Sequence, residues 1–179
     1  MAHGFGVWDS THGSTYKGMW EFDLYQGKGT ETWPDGTSFV GDFYKGSKTG
    51  KGKQVWPDGS YYEGDFEYNT ISGYGKYEWV DGRSYHGQWY NDKMHGEGTF
   101  TWPDGKKYIA QYRNDIKSGW GTYIFVDQSK YQGNWKNGKM HGQGEFTNAY
   151  GSKRTGTWEN GKRKKSVASS PKFRPNNKA

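Results

Sequence analysis

Four features of this chain have the residue types that chemistry needs. His3, His95 and His141 each precede a glycine, and an imidazole can ligate a metal or move a proton. Gly-x-Gly occurs repeatedly, as in Gly50-Lys51-Gly52, and glycine-rich loops can cradle phosphate. Asp35, Asp58, Asp81 and Asp104 each stand before a glycine and are candidate acids or bases. Lys162, Arg163, Lys164 and Lys165 form a basic run that can meet anionic lipid. Each reading depends on the elements that would carry these residues.

Those elements repeat. Copies of 23 residues begin at Tyr16, Phe39, Tyr62, Tyr85, Tyr108 and Tyr131, with a half copy before them and another from Arg154. Position 12 is glycine in all seven copies that include it (Gly4, Gly27, Gly50, Gly73, Gly96, Gly119, Gly142), and so is position 14 (Gly6, Gly29, Gly52, Gly75, Gly98, Gly121, Gly144). Position 3 is glycine except at Ala110, and position 5 is aromatic throughout: Trp20, Phe43, Phe66, Trp89, Tyr112, Trp135 and Trp158. Positions 1 to 6 and 13 to 18 alternate with the period of a β-strand. Pro-Asp-Gly at 34–36, 57–59 and 103–105, with Val-Asp-Gly at 80–82, follows the second run and reads as a hairpin turn. Each copy is therefore expected to be a strand, a short loop, a strand and a turn. The strand glycines are expected to serve ring packing rather than a local bulge.

The expected fold is all-β: an elongated, single-layer, twisted antiparallel sheet of consecutive hairpins over residues 1–161, with a basic, disordered tail at 162–179. At about 4.8 Å between strands, some fourteen strands give a rod about 65 Å long. The aromatic column at position 5 is its structural ladder.

Composition agrees with a shallow core. The chain has one Leu, four Ile and six Val beside 10 Trp, 15 Tyr, 9 Phe and 29 Gly. Large rings offset ordering entropy in a chain otherwise too poor in aliphatics to fold. The net charge of +6 belongs to the tail: residues 162–179 hold seven basic and no acidic residues, which leaves the body at −1. A near-neutral body argues against nucleic acid as a partner. With no Cys, no disulfide, thiolate metal site or thiol lipidation is available. The first residues lack a basic and apolar leader and no run is long enough to cross a bilayer, so a cytoplasmic protein is expected, neither secreted nor transmembrane.

On a regular sheet the catalytic readings fall away. His95 and His141 lie two copies apart, about 19 Å, too far to share a metal. Gly-x-Gly lacks the following helix and the Gly-Lys-Ser/Thr end of a phosphate loop. The Asp-Gly carboxylates belong to turns. No enzyme, cofactor or metal site is expected.

The pattern Tyr-x-Gly-x-Trp-x-x-Gly-x-x-His-Gly-x-Gly followed by Asp-Gly resembles the MORN repeat, and Tyr131, Gly133, Trp135, Gly138, His141, Gly142 and Gly144 show it nearly complete. The copy from Tyr108, with Ala110 for glycine and Gln128 for the turn glycine, is expected to be bent or specialised. The resemblance implies a non-enzymatic scaffold similar to ciliary radial-spoke-head and protist cytoskeletal MORN proteins. It would dock a helical or extended segment of a larger partner in a cytoskeletal or axonemal assembly. The alternative it implies is a membrane tether, similar to junctophilin-like tethers, that binds anionic phospholipid through Lys162, Arg163, Lys164 and Lys165.

The candidate partner-binding residues are apolar side chains on the otherwise polar face: Tyr74, Tyr90, Ile109, Trp120 and Ile124. A second row at position 10, Tyr25, Ile71, Met94 and Met140, is expected in the hairpin loops, on one rim of a groove. Open strand edges near Phe5 and Trp158 offer a route to homo-oligomers.

Overall fold

The computed structural model describes residues 1–164, and the expectations for Lys165 and the rest of the tail lie outside the described residues. The described residues form one open antiparallel sheet of fifteen strands in strict sequence order. The strands are β1 (Gly4–Asp9), β2 (Thr15–Glu21), β3 (Leu24–Thr32), β4 (Ser38–Tyr44), β5 (Ser47–Val55), β6 (Tyr61–Glu67), β7 (Thr70–Glu78) and β8 (Ser84–Tyr90). They continue as β9 (Lys93–Thr101), β10 (Lys107–Arg113), β11 (Ile116–Ile124), β12 (Lys130–Lys136), β13 (Lys139–Thr147), β14 (Lys153–Glu159) and β15 (Lys162–Arg163). Among the described residues no second layer covers either face.

The core lies on one face. The ring at position 1 packs edge-on against the position 5 ring of its own copy and that of the next, so thirteen rings run in a zigzag from Trp20 through Tyr16, Phe43 and Phe39 to Tyr131 and Trp158. All twelve contacts are T-shaped, with centroids 4.8 to 5.7 Å apart. That is the arrangement the ring quadrupole prefers. Tyr16, Phe39, Tyr62, Tyr85, Tyr108 and Tyr131 are fully buried.

Two glycine columns have two different physical reasons. Positions 3 and 14 pair Cα to Cα from Gly6 and Gly18 to Gly144 and Gly156, a file across fourteen strands broken only by Ala110. The position 1 ring lies on this file: a Cβ at Gly64 would meet the Tyr62 hydroxyl at 2.5 Å and the Gly75 Cα at 2.5 Å. Position 12 is different. All seven of its glycines have positive φ, from 57° at Gly96 to 111° at Gly73. The register slips here, as between Gly18↔Gly29 and Met19↔Gln26, so this column serves a bulge, which the packing expectation excluded.

The turns also differ from expectation. The tight turn is the two-residue tip at positions 7 and 8, with both φ positive, as at Asn91 (45°) and Asp92 (61°). The Pro-Asp-Gly segment makes the wider turn at the opposite edge, closed by Trp56 N–H to Ser60 O at 2.9 Å. The second strand therefore starts at position 9, and the expected short loop is strand. Tips are stitched from copy to copy: Asp92 N–H donates to Ile71 O at 2.9 Å, while the Asp92 carboxylate accepts Ile71 N–H at 2.8 Å.

Lys162 and Arg163 are sheet, not tail. β15 pairs with β14 at Trp158↔Arg163 and Glu159↔Lys162, so the edge near Trp158 is partly covered.

Candidate docking groove on the polar face

Side chains at positions 2, 4, 13 and 15 stand on the face opposite the rings, and between them the glycine file leaves bare backbone as the floor of a groove. Its central part encloses about 550 Å³ and is lined by Tyr74, Ile109 and Trp120 with His86, Gln88, Glu97, Thr99 and Gln111. Three of the five predicted apolar residues thus meet in one groove, from strands β7, β10 and β11. Tyr74, Ile109 and Trp120 are 49%, 45% and 57% exposed. Tyr90 stands beside them, next to Tyr74 and His95 in an adjoining hollow. Ile124 pairs with Lys107 and Lys130 and does not line the groove.

The groove continues over β2 to β8 as a hollow of about 830 Å³ that shares Tyr74 and His86 and adds Lys17, Lys28, Val40, Lys51, Lys53 and Glu63. Sequence reading missed this basic stretch, although the lysines fall at positions 2, 13 and 15 of the repeat. Lys28 pairs with Asp42 at 2.8 Å and Lys51 with Asp65 at 2.6 Å. Such exposed pairs contribute little to stability but fix the lysines along the walls.

The position 10 row lies on the other face. Tyr25, Ile71, Met94 and Met140 are strand residues of β3, β7, β9 and β13, not loop residues. Tyr25 stacks on Tyr16 at 3.6 Å, Ile71 is buried, and Met94 and Met140 pack against the ring core. They share no groove with Tyr74 and Trp120. The same column holds Lys48 and Lys117. The Lys117 ammonium lies 4.5 to 5.5 Å from the rings of Tyr108, Trp102, Tyr123 and Trp135, and burial holds it below the usual lysine range. Burial likewise lowers Lys48, opposed by the Glu31 carboxylate.

Of the expected ladder, Phe43, Phe66, Trp89, Tyr112, Trp135 and Trp158 are buried and Trp20 is partly buried. The copy from Tyr108 departs from the others. Four of the five other position 1 residues are tyrosines that donate to the carbonyl three residues on, as Tyr62 does to Asp65 O at 3.1 Å. Among the described residues the Tyr108 hydroxyl has no partner, nor has that of Tyr112. The Ala110 methyl stands in the glycine file beside Gly121, where the Tyr108 ring would otherwise settle.

The candidate lipid residues are partly engaged. Arg163 donates to Thr155 O at 2.8 Å, and Lys164 pairs with Glu159 at 2.8 Å. Among the described residues, no three His, Cys, Asp or Glu side chains converge to hold a metal ion. No helix is long and apolar enough to cross a membrane.

Comparison with known proteins names the class. The MORN-repeat sequence profile matches residues 16–38, 39–61, 62–82, 85–107, 108–130 and 131–152. The chain belongs to the MORN-repeat family. No curated protein matches it at the sequence level. Among solved structures it is similar to the SAS-4 (dCPAP) TCP domain of Drosophila melanogaster, solved in complex with a proline-rich motif of Ana2 (dSTIL), at a TM-score of 0.52 and 11% identity over 86% of this chain and 78% of that one. The G-box domain of the microcephaly protein CPAP aligns over 87% of this chain and all of that one, at 14% identity and a TM-score of 0.43. At 11% identity the likeness to the Drosophila domain is one of fold.

Proposed function

We propose that this protein is a non-enzymatic interaction scaffold whose polar-face groove takes a helical or extended segment of a larger protein. The observation that carries the reading is the convergence of Tyr74, Ile109 and Trp120, each about half exposed, in one groove on an otherwise polar face. Exposed aromatic and aliphatic side chains grouped in a groove act as anchors for a partner, with the polar walls as a rim. The Drosophila domain of similar fold was solved with a segment of a partner protein, which supports a peptide-binding use of such a sheet. The MORN resemblance supports a cytoskeletal or ciliary assembly as the setting for that partner.

Self-association at the sheet ends belongs to the same reading. Among the described residues the outer edge of β1 is unpaired and β1 carries exposed Phe5, Val7 and Trp8, whereas β15 covers two residues of β14. An open edge of this kind pairs with another strand.

The test is affinity capture from lysate with the unaltered chain and with an Ile109→Ser, Trp120→Ser variant whose fold is verified by circular dichroism. A partner retained by the first and lost by the second supports the groove. Identical capture by both overturns it.

A further inference from the structure

The opposite face has an opening that the polar-face groove does not explain. Eight rings run in series along it: Trp56, Tyr77, Trp79, Phe100, Trp102, Tyr123, Phe125 and Phe146, with centroids 4.5 to 6.0 Å apart. Most are only partly buried. Between Trp56 and Trp79 the face opens into a groove of about 480 Å³, with Tyr77 and Trp89 lining it and Ile71 and Met94 across from the indoles. In the copies on either side the ring face carries a lysine: the Lys48 ammonium lies 4.5 Å from the Trp33 ring and the Lys117 ammonium 4.9 Å from that of Trp102.

We propose that this groove binds a proline-rich segment in the polyproline II conformation that carries one basic residue. Three properties select that occupant. The tryptophans at position 18 recur every second strand, about 9.6 Å along the sheet. A polyproline II helix repeats every three residues, about 9.3 Å, so prolines three apart fall on successive indoles. The indole N–H groups of Trp56 and Trp79 donate to no acceptor among the described residues, whereas Trp89 is satisfied by Gly75 O at 3.2 Å. A polyproline II backbone supplies free carbonyls to meet such donors. On the other rim stand the exposed carboxylates of Asp92 and Asp115. Each accepts one backbone N–H, from Ile71 at 2.8 Å and Met94 at 2.9 Å, and neither has a cationic partner among the described residues. They complement an arginine or lysine.

The probe is an amidated, acetylated decapeptide of proline with one central arginine, and the control is a glycine-serine peptide with the same arginine. In a ¹H–¹⁵N spectrum of the full chain, the Trp56 and Trp79 indole N–H signals shift saturably with the proline peptide and not with the control, while that of Trp120 stays put. Trp79→Ala weakens binding about tenfold, the effect of losing one anchor residue. Asp92→Asn, which keeps the acceptor for Ile71 N–H, weakens it several-fold and reduces its salt dependence. Ile109→Ser, Trp120→Ser leaves this affinity unchanged, so this site and the polar-face groove fail independently. Absence of saturable shifts in the unaltered chain, equal binding of the control peptide, or a concentration-dependent dimer abolished by Trp79→Ala would overturn the proposal. The spectra of the unaltered chain decide the matter even if a variant unfolds.

Discussion

A single methyl group shows how tightly the residue scale is set. At Gly64 an added Cβ meets backbone and a buried phenol on both sides, so relief requires the strand to move. Overpacking of this kind costs about 1 to 3 kcal/mol, occasionally more. Gly64→Ala is expected at the upper end of that range, read as a lower urea midpoint. Ala110 is the natural converse. Ala110→Gly lets the Tyr108 hydroxyl reach the Gln111 carbonyl, as its counterparts do; an unsatisfied buried donor costs about 1 to 3 kcal/mol, against about 0.5 to 1 for glycine in a strand. The variant is expected to gain about 1 kcal/mol and to slow amide exchange in β10 and β11. The tyrosines also set the alkaline limit. Burial pushes the Tyr16 phenol up to about 12 and raises Tyr62, Tyr85, Tyr108 and Tyr112 further. The unfolded chain releases these protons near pH 10 and the folded chain does not, so stability present below pH 10 falls as pH rises beyond it. Lys48 and Lys117, lowered by burial, act in the opposite sense below about pH 10.4 and do not offset the larger tyrosine set. Absorbance at the phenolate band should show the buried tyrosines ionising only together with unfolding.

At the scale of the element, the hairpin tips add side-chain and backbone bonds to the strand pairing and ring packing that already join successive copies. Asp92 and Asp115 each give the preceding copy a side-chain acceptor, and Asn69 does the same for Lys48 N–H at 2.8 Å. Asp115→Ala removes one such bond while the backbone bond from Asp115 N–H to Met94 O remains. The expected loss is about 1 kcal/mol, with faster amide exchange confined to the tips at Met94 and Asp115. Asp115→Asn keeps the acceptor and should leave both unchanged. In a quasi-one-dimensional array each joint acts on its neighbours alone, so the effect is local.

For the whole molecule, an open sheet whose outer strand β1 has no partner among the described residues predicts association along its axis. Phe5→Lys, Val7→Lys places charge on the open strand β1, a device that blocks edge pairing. If copies associate through that end, sedimentation velocity should show the unaltered chain forming larger species with concentration and the variant remaining monomeric. Tail contact with anionic lipid is expected to be weak and salt-sensitive, since Arg163 and Lys164 are already engaged within the body. Sedimentation with phosphatidylserine-rich vesicles at low and high salt checks it.

The 23-residue period, the aromatic column and the invariant glycines fixed the all-β, single-layer architecture from sequence, because strand alternation and nearest-neighbour packing are local properties. The apolar outliers Tyr74, Ile109 and Trp120 were legible for the same reason: each breaks an alternation that its own strand defines. Which turn is tight was also written in the sequence, in Asn137-Gly138 and Asn160-Gly161, but the Asp-Gly pairs drew the reading to the other edge. Only the tertiary structure decided the rest. The bulge at position 12 moves position 10 into a strand and onto the ring face, so Ile71 and Met94 line a different groove from Trp120. The seat of Lys117 depends on rings from several strands, Trp102 and Tyr123 with Trp135, meeting in space. A periodic pattern specifies which face a side chain takes, and packing between copies specifies what it meets there.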